Sequence, residues 1–361
     1  MVRVERLLAD CLDDARAEAL GTVPLAAEDA GYPAARRTFL TAGLQALRDH
    51  RPDAGWVQFN VRLDARHEPR HDTRLDARHD PRHDTRLDAR HDVRLDPAGA
   101  PSGPVRSPYR RLATAADELL GSGQARDFFF MHKPPGLRVR FRAAEPGRAP
   151  ELRAALLRRL APGQEEDART RPVAGVYEPE TYLFGGPRSM PFAHALFTAD
   201  SRAWLDVHTA VAGAPAPVGW RVSLALLRAV FDGLDIVGWE HRGVWQTVRE
   251  ETGRRLPGGL GDPDLRRAAA GIRGYWNQGP DARLAALPEP WRDVVGGHMT
   301  AVGRAAERWR AHYFASGEAT VGPRRAAAHH VIFHWNRGAL PTARQCLLTE
   351  ALAADGHEGE R

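Results

Sequence analysis

Arg138 and Arg140 stand two residues apart in Gly136-Leu137-Arg138-Val139-Arg140-Phe141, behind Phe128-Phe129-Phe130-Met131-His132-Lys133 and the pair Pro134-Pro135. This composition reads as two short strands joined by a Pro-Pro-Gly turn. Alternate residues of a strand share a face, so both guanidinium groups point one way and Leu137, Val139 and Phe141 the other. Two guanidinium groups at that spacing call for anionic or carbonyl partners; a solvated arginine face is the plainer alternative. Lys133, at the turn, is the only lysine in the chain.

Three further clusters carry groups able to move protons or stabilise charge. Val176-Tyr177-Glu178-Pro179-Glu180-Thr181-Tyr182-Leu183-Phe184-Gly185-Gly186-Pro187 places a tyrosine and two carboxylates before a Gly-Gly turn. A glycine pair lets backbone approach a ligand closely, although a turn followed by a helix capped by Ser189 accounts for the same residues. Phe197-Thr198-Ala199-Asp200-Ser201-Arg202 lies within an amphipathic helical pattern. Asp200 and Ser201 are poor helix-interior residues, so they mark a break or a polar contact with the arginine strand, and a buried Asp200 paired with Arg138 or Arg140 would be a structural ion pair. His329-His330-Val331-Ile332-Phe333-His334-Trp335-Asn336-Arg337 sets polar groups among bulky apolar ones. There His334 could carry protons near neutral pH, and Asn336-Arg337 could equally cap a helix ahead of Gly338. No Ser-His-Asp order, cysteine nucleophile or CxxC pair emerges. The groups that remain suit proton transfer, elimination or condensation with charge stabilisation, and need no metal.

The elements that must position these groups follow from periodicity. Helices are expected at 3–20, 34–49, 109–121, 149–160, 189–212, 219–233, 239–254, 263–276, 297–315, 325–335 and 341–354. Strands are expected at 56–61, in the hairpin 128–141, and at 171–178. Trp220, Leu224, Leu227 and Phe231 form an apolar stripe that reads as core. Few strands early and many helices late give an α+β fold: a small mixed or antiparallel sheet packed with a largely helical C-terminal half. The 361 residues read as a single domain, 1–361, interrupted at 62–97 by the repeat RLDARHEPRHDT, RLDARHDPRHDT, RLDARHDVRLDP. Each unit balances arginines against acids and cannot bury an apolar face, so it reads as a disordered polyampholyte loop. His67, His71, His79, His83 and His91 could offer metal ligands, but prolines break any continuous helix and each histidine adjoins an arginine.

A hydrophobic fraction of 43% supports a core, and a net charge of +5 comes from interspersed basic and acidic residues, 51 against 46, which is no nucleic-acid signature. Cys11 and Cys346 sit at opposite ends as structural thiols. The N-terminus reads as a charged amphipathic helix, and no apolar run is long enough for a bilayer, so a soluble cytoplasmic protein is expected. Gly258-Gly259-Leu260-Gly261 lacks the features of a phosphate loop.

Taken in order, five pieces resemble the thiopeptide-type bacteriocin biosynthesis domain, itself similar to the C-terminal elimination domain of lantibiotic dehydratases. They are Trp56-Val57-Gln58; Gly136-Leu137-Arg138-Val139-Arg140-Phe141; Tyr177-Glu178-Pro179-Glu180 with Gly185-Gly186; Phe197 with Asp200-Ser201; and His334-Trp335-Asn336-Arg337. The resemblance implies an α+β enzyme acting on a ribosomally made, leader-bearing peptide that is dehydrated and azole-containing, alongside other enzymes of its pathway. It implies no cofactor, metal, nucleic acid or membrane. Two activities are known in the family. One eliminates glutamate from glutamylated Ser or Thr; the other joins two dehydroalanines in a formal [4+2] aza-cycloaddition and expels water and leader peptide.

Leu183 stands where eliminating members are expected to carry an arginine for the leaving glutamate. Lys133-Pro134-Pro135-Gly136 and the stretch from Leu234 through Trp239-Glu240 to Val244-Trp245 look more like the stand-alone cycloaddition members. The pyridine-synthase reading is therefore preferred to the eliminase. Within it, Tyr177, His334, Asp200 and Glu180 form the catalytic set, with Lys133, Arg138, Arg140, Ser201, Asn336 and Arg337 binding substrate. A third reading, from another class, is a non-catalytic peptide-binding partner that accepts an extended peptide on edge strands at 56–61 and 128–141.

Overall fold

The computed structural model describes residues 55–63, 108–161, 171–210 and 218–354. The expected helices at 3–20 and 34–49, Cys11, and the repeat beyond Leu63 lie outside the described residues. The chain divides at Gly55, and the architecture below is that of Gly55 onward.

Strand β1 (Trp56–Arg62) leads to helix α1 (Pro108–Gly121), and the hairpin follows as β2 (Ala125–Lys133) and β3 (Gly136–Ala143). Helix α2 (Ala149–Leu160) precedes β4 (Val173–Gly175). The helical half comprises α3 (Met190–Ala210), α4 (Gly219–Gly233), α5 (Glu240–Thr252), α6 (Pro263–Trp276), α7 (Pro280–Ala285), α8 (Glu289–His312), α9 (Pro323–Arg337) and α10 (Thr342–Ala353). The α+β reading thus holds. Among the described residues no helix is long and apolar enough to cross a membrane.

The sheet is antiparallel throughout, with order β2-β3-β1-β4. Directly opposed residues of an antiparallel pair share a face. Trp56 opposes Arg142, Gln58 opposes Arg140 and Asn60 opposes Arg138, while Phe129 and Met131 of β2 oppose Arg140 and Arg138 from the other side. All the arginines of β3 therefore stand on one face, as the alternation requires. Val57, Phe59, Val61, Leu137, Val139 and Phe141 line the opposite face, where they are buried beneath α1 and α2. Gly136 sits where β3 presses on β1, and any Cβ there would strike the Val61 carbonyl.

Several expectations change. The segment 56–61 is not an edge: β1 lies between β3 and β4, so its backbone groups are already taken. β3 is interior as well. Only β2 and the three-residue β4 lie at the borders, and β4 is much shorter than 171–178. The repeat does not begin cleanly at Arg62, which still opposes Gly136, and Leu63 is buried with its N–H on the Pro135 carbonyl at 3.3 Å. Helix α8 starts at Glu289, eight residues before the expected 297. Pro290 is tolerated in a first turn, and Gly296-Gly297, weak helix formers, lie inside the helix rather than ahead of it. Helix α7 is a short element that periodicity does not reveal.

Asp200 and Ser201 mark no break in α3, which runs unbroken from Met190 to Ala210. This helix lies along β2. The Phe128 N–H donates to Thr198 Oγ1 at 3.0 Å and the Phe130 N–H to Ser201 Oγ at 3.4 Å, so side-chain hydroxyls close the outer edge of β2. Replacing Thr198 by valine keeps the shape and strands a backbone donor. We expect a loss of about 1–2 kcal/mol in urea unfolding; an unchanged midpoint would show that the edge is not held this way.

Candidate functional site

The arginine face of the sheet is not a solvated surface at its centre. Arg140 is only 3% exposed and Gln58 5%, while Arg138 is half-buried and Asn60 exposed. Arg140 donates from Nε to Gln58 Oε1 at 2.8 Å, and its Nη1 has no hydrogen-bond partner among the described residues. Its guanidinium lies over two aromatic rings, 5.0 Å from the centre of Phe129 and 4.8 Å from that of Tyr177. Burial pulls its pKa down to about 10, with Arg138 and Arg337 pushing the same way against Tyr177 and Glu180.

Tyr177 closes this face from above. Its ring meets Trp56 at 4.9 Å and Phe129 at 5.5 Å, and its hydroxyl is hydrogen-bonded to His194 Nε2 at 2.8 Å. Burial raises the phenol far above its ordinary value and pushes His194 down to about 3, so a neutral phenol meets a neutral imidazole. The loop carrying Tyr177 is locked at its far end by Gly185, whose φ of +95° is a glycine conformation. Tyr313 donates to the Gly185 carbonyl at 2.7 Å, and its phenol fills the space a Cβ would need. Leu183 packs half-buried against the core, and Phe184 is sealed between Phe197, Trp309 and Phe333.

The third part forms where α3 crosses α9. Asp200 accepts from Arg337 Nη1 at 2.8 Å on Oδ2 and bonds His334 Nδ1 at 2.7 Å on Oδ1, with all three side chains fully buried. His334 Nε2 lies 3.0 Å from Ser223 Oγ, which also accepts the Trp335 indole N–H at 3.1 Å. Burial alone would raise the Asp200 carboxyl, but His334 and Arg337 hold it well below the usual carboxylate range. Arg337 lies 4.5 Å from the ring centre of Phe197 and 5.8 Å from that of Phe129. Its Nε and Nη2 have no partner among the described residues.

The structure therefore brings Arg140, Tyr177, Arg337, Asp200 and His334 into one continuous network through the rings of Phe129 and Phe197. Glu180, half-buried, acts electrostatically on both Tyr177 and Arg140. Lys133 is exposed at the hairpin turn. Asp200 pairs with Arg337, not with Arg138 or Arg140 as expected, because α9 reaches it from the helical half. Ser201 lies at the β2 edge, where its Oγ accepts the Phe130 N–H. His334 has both ring nitrogens engaged and no exposure, which makes it a support for Asp200 and not a solvent-facing proton carrier. Asn336 is half-buried in the last turn of α9, whose end is not capped by a left-handed glycine; Ala339 takes the positive φ, 51°, and Gly338 is needed because a Cβ would meet Trp204.

Two groups went unread in the sequence. His194 lies seventeen residues from Tyr177 on a different element, and no local signal links them. Asp127 opposes Arg142 on the arginine face, where burial pushes its carboxyl up against the pull of Arg142 and Arg126; period-two alternation from Phe129 would have placed it there. Asp200, His330 and His334 bring ligand atoms within 4.8 Å of one another, a spacing a metal would accept. The donor set does not fit a cation, since Arg337 already neutralises Asp200 and the Trp204 N–H lies 3.2 Å from His334 Nδ1.

A family model described as lantibiotic biosynthesis dehydratase C-term matches residues 109–354. Among solved structures, the tRNA-dependent lantibiotic dehydratase MibB from Microbispora sp. 107891 matches 83% of this chain with a TM-score of 0.53 and 19% identity. At that identity the likeness is one of fold. The matched part is 28% of the MibB chain, so this chain spans less than a third of that protein. No curated protein matches.

Asp200→Asn leaves Arg337 buried without a counter-charge. We expect a loss of about 3–5 kcal/mol in urea unfolding, and a cost below about 1 kcal/mol would mean that the ion pair is not the anchor of this crossing. A second expectation concerns acid. Burial pushes His330 down to about 3 from 6.5, so the unfolded chain takes up a proton that the folded chain refuses. Its contribution to stability is full above pH 6.5 and is lost as pH falls below it. His330→Leu should flatten the pH dependence between pH 6.5 and 4 by about 1.4 kcal/mol per pH unit; parallel stability curves for the two proteins would refute this.

Proposed function

We propose, on the premise that this chain belongs to the lantibiotic biosynthesis dehydratase C-terminal family, that it is a peptide-modifying enzyme joining two dehydroalanines of a leader-bearing precursor into a pyridine ring. The observation that carries the reading is the pair of buried guanidinium groups, Arg140 and Arg337, with unpartnered N–H groups around Phe129 and beside the Tyr177–His194 pair. Buried donors without partners are costly, and a peptide carbonyl or carboxylate would satisfy them. Leu183 supports cyclisation over elimination, since leucine cannot hold a leaving glutamate.

In this reading Arg138 and Arg140 hold peptide carbonyls, with the fully buried charge of Arg337 beside them, and favour the imidic-acid tautomer of the amide preceding one dehydroalanine. That tautomer and the adjacent alkene form the four-atom azadiene, and the second dehydroalanine supplies the two-carbon partner. As the ring closes, two σ bonds form at the expense of two of the three π bonds of azadiene and alkene. Water then leaves from the former imidic carbon and the leader leaves as its amide, each taking one ring proton, which creates the aromatic pyridine. Tyr177, with His194 behind it, donates and recovers a proton during these departures, and Glu180 sets the field around it. Asp200 and His334 act through Arg337. Holding both alkenes of one chain in reach is an entropic contribution on the order of several kcal/mol. The peptide enters at the open half of the face, by Asn60 and Arg138, with Lys133 at its rim.

A second reading, elimination of glutamate from glutamylated Ser or Thr, draws on the same observation, because two guanidinium groups also suit a glutamyl carboxylate. Purified protein given a dehydrated, azole-bearing leader peptide, and separately a glutamylated one, separates the readings by mass spectrometry. Ring formation with loss of water and the leader amide supports the proposal; release of glutamate supports the second reading; binding without conversion refutes both. Tyr177→Phe is expected to slow turnover on the order of 10²-fold with little change in KM, and a wild-type rate in that variant would remove Tyr177 from the mechanism.

A further inference from the structure

Helix α9 carries Arg337 on its last turn, and the carbonyls of that turn need donors that the backbone following the helix does not supply. The helical partner of the Arg337 carbonyl would be the N–H of residue 341, which is proline and has none. The partner of the Asn336 carbonyl would be the Leu340 N–H, which is drawn instead to the Trp335 carbonyl at 3.1 Å. The chain cannot continue the helix, because Gly338 is pressed beneath the Trp204 ring and Ala339 turns left-handed.

Two imidazoles from other elements take both carbonyls. His132 on β2 donates from Nδ1 to the Asn336 carbonyl at 2.8 Å, and His208 on α3 donates from Nε2 to the Arg337 carbonyl at 2.9 Å. The rings lie 5.4 Å apart, edge to face. Tyr109 of α1 joins them, with its hydroxyl 2.7 Å from His132 Nε2 and its ring stacked on His208 at 4.6 Å. Because each carbonyl acceptor requires a donor, both tautomers are fixed by geometry. The sheet, α1 and α3 thus all grip the one turn that presents Arg337.

We propose that His132 and His208 are positioning residues, a two-imidazole clamp on the C-terminal carbonyls of α9 that fixes the aim of Arg337. The inference rests on the proposed function only for its kinetic consequence. The donor geometry dictates a crossed pattern of substitutions. The amide nitrogen of asparagine can replace the Nδ1–H of histidine, and that of glutamine the Nε2–H. His132→Asn and His208→Gln should therefore keep the clamp, whereas His132→Gln and His208→Asn should lose it, although all four are polar and smaller than or similar to the ring.

Two readouts are independent of substrate. Hydrogen exchange at the amides of residues 335–338 should stay near wild type in the first pair and rise in the second. The downfield proton resonance expected of the short His334–Asp200 bond should persist in the first pair and broaden or move in the second. In the turnover assay the second pair should lose on the order of tenfold to a hundredfold in kcat, with KM little changed. An uncrossed pattern, with all four variants alike in exchange and resonance, overturns the clamp. A crossed exchange pattern with uniform turnover and an unmoved resonance overturns the positioning role. A wild type that converts neither peptide sinks the functional reading, while exchange and resonance still decide this one.

Discussion

The fully buried carboxylate of Asp200 is the constraint on which the rest of the structure depends. A carboxylate with no exposure is tolerable only if its charge and its lone pairs are both answered. Arg337 answers the charge and His334 the remaining oxygen. In doing so they tie α9 to α3, and α3 in turn covers the border of the sheet. The same pairing leaves two nitrogens of Arg337 unanswered and turned among aromatic rings. A stabilising contact between helices therefore also leaves buried donor groups unsatisfied beside the arginine face.

How far the sequence could be read depended on whether a signal was local. The face shared by Arg138 and Arg140 follows from period two alone, and β3 places them as alternation demands. Helices 149–160, 219–233 and 263–276 coincide with their apolar periodicity to the residue. The partner of Asp200 was not legible, since the choice between Arg138, Arg140 and Arg337 is made by how α9 docks, which no local pattern encodes. Tyr177 and His194 meet for the same non-local reason. The sheet order was missed at β1 because a strand rich in Val and Phe reads alike whether one or both of its edges are paired.

Burial also changes what residue type implies. A histidine in sequence suggests titration near neutrality, yet His194 and His330 are each pushed down to about 3 by the apolar groups around them. A tyrosine among arginines would ionise more easily than usual, yet burial, reinforced by Glu180, drives Tyr177 the other way. Apart from the carboxylates, the groups around the guanidinium charges are accordingly neutral hydrogen-bonding ones; under the proposed function such an environment favours moving a proton late in a reaction over generating a strong base at its start.

The hydroxyls of Thr198 and Ser201 along β2 have a consequence for selectivity. A protein that handles unfolded chains and leaves a long strand border bare would capture any extended segment through backbone contacts alone, its own nascent copies included. With that border occupied by its own helix and β4 only three residues long, backbone pairing offers little purchase for indiscriminate capture. Under the proposed function, discrimination then falls to side chains, so the peptide is distinguished by what it displays and not merely by being unstructured.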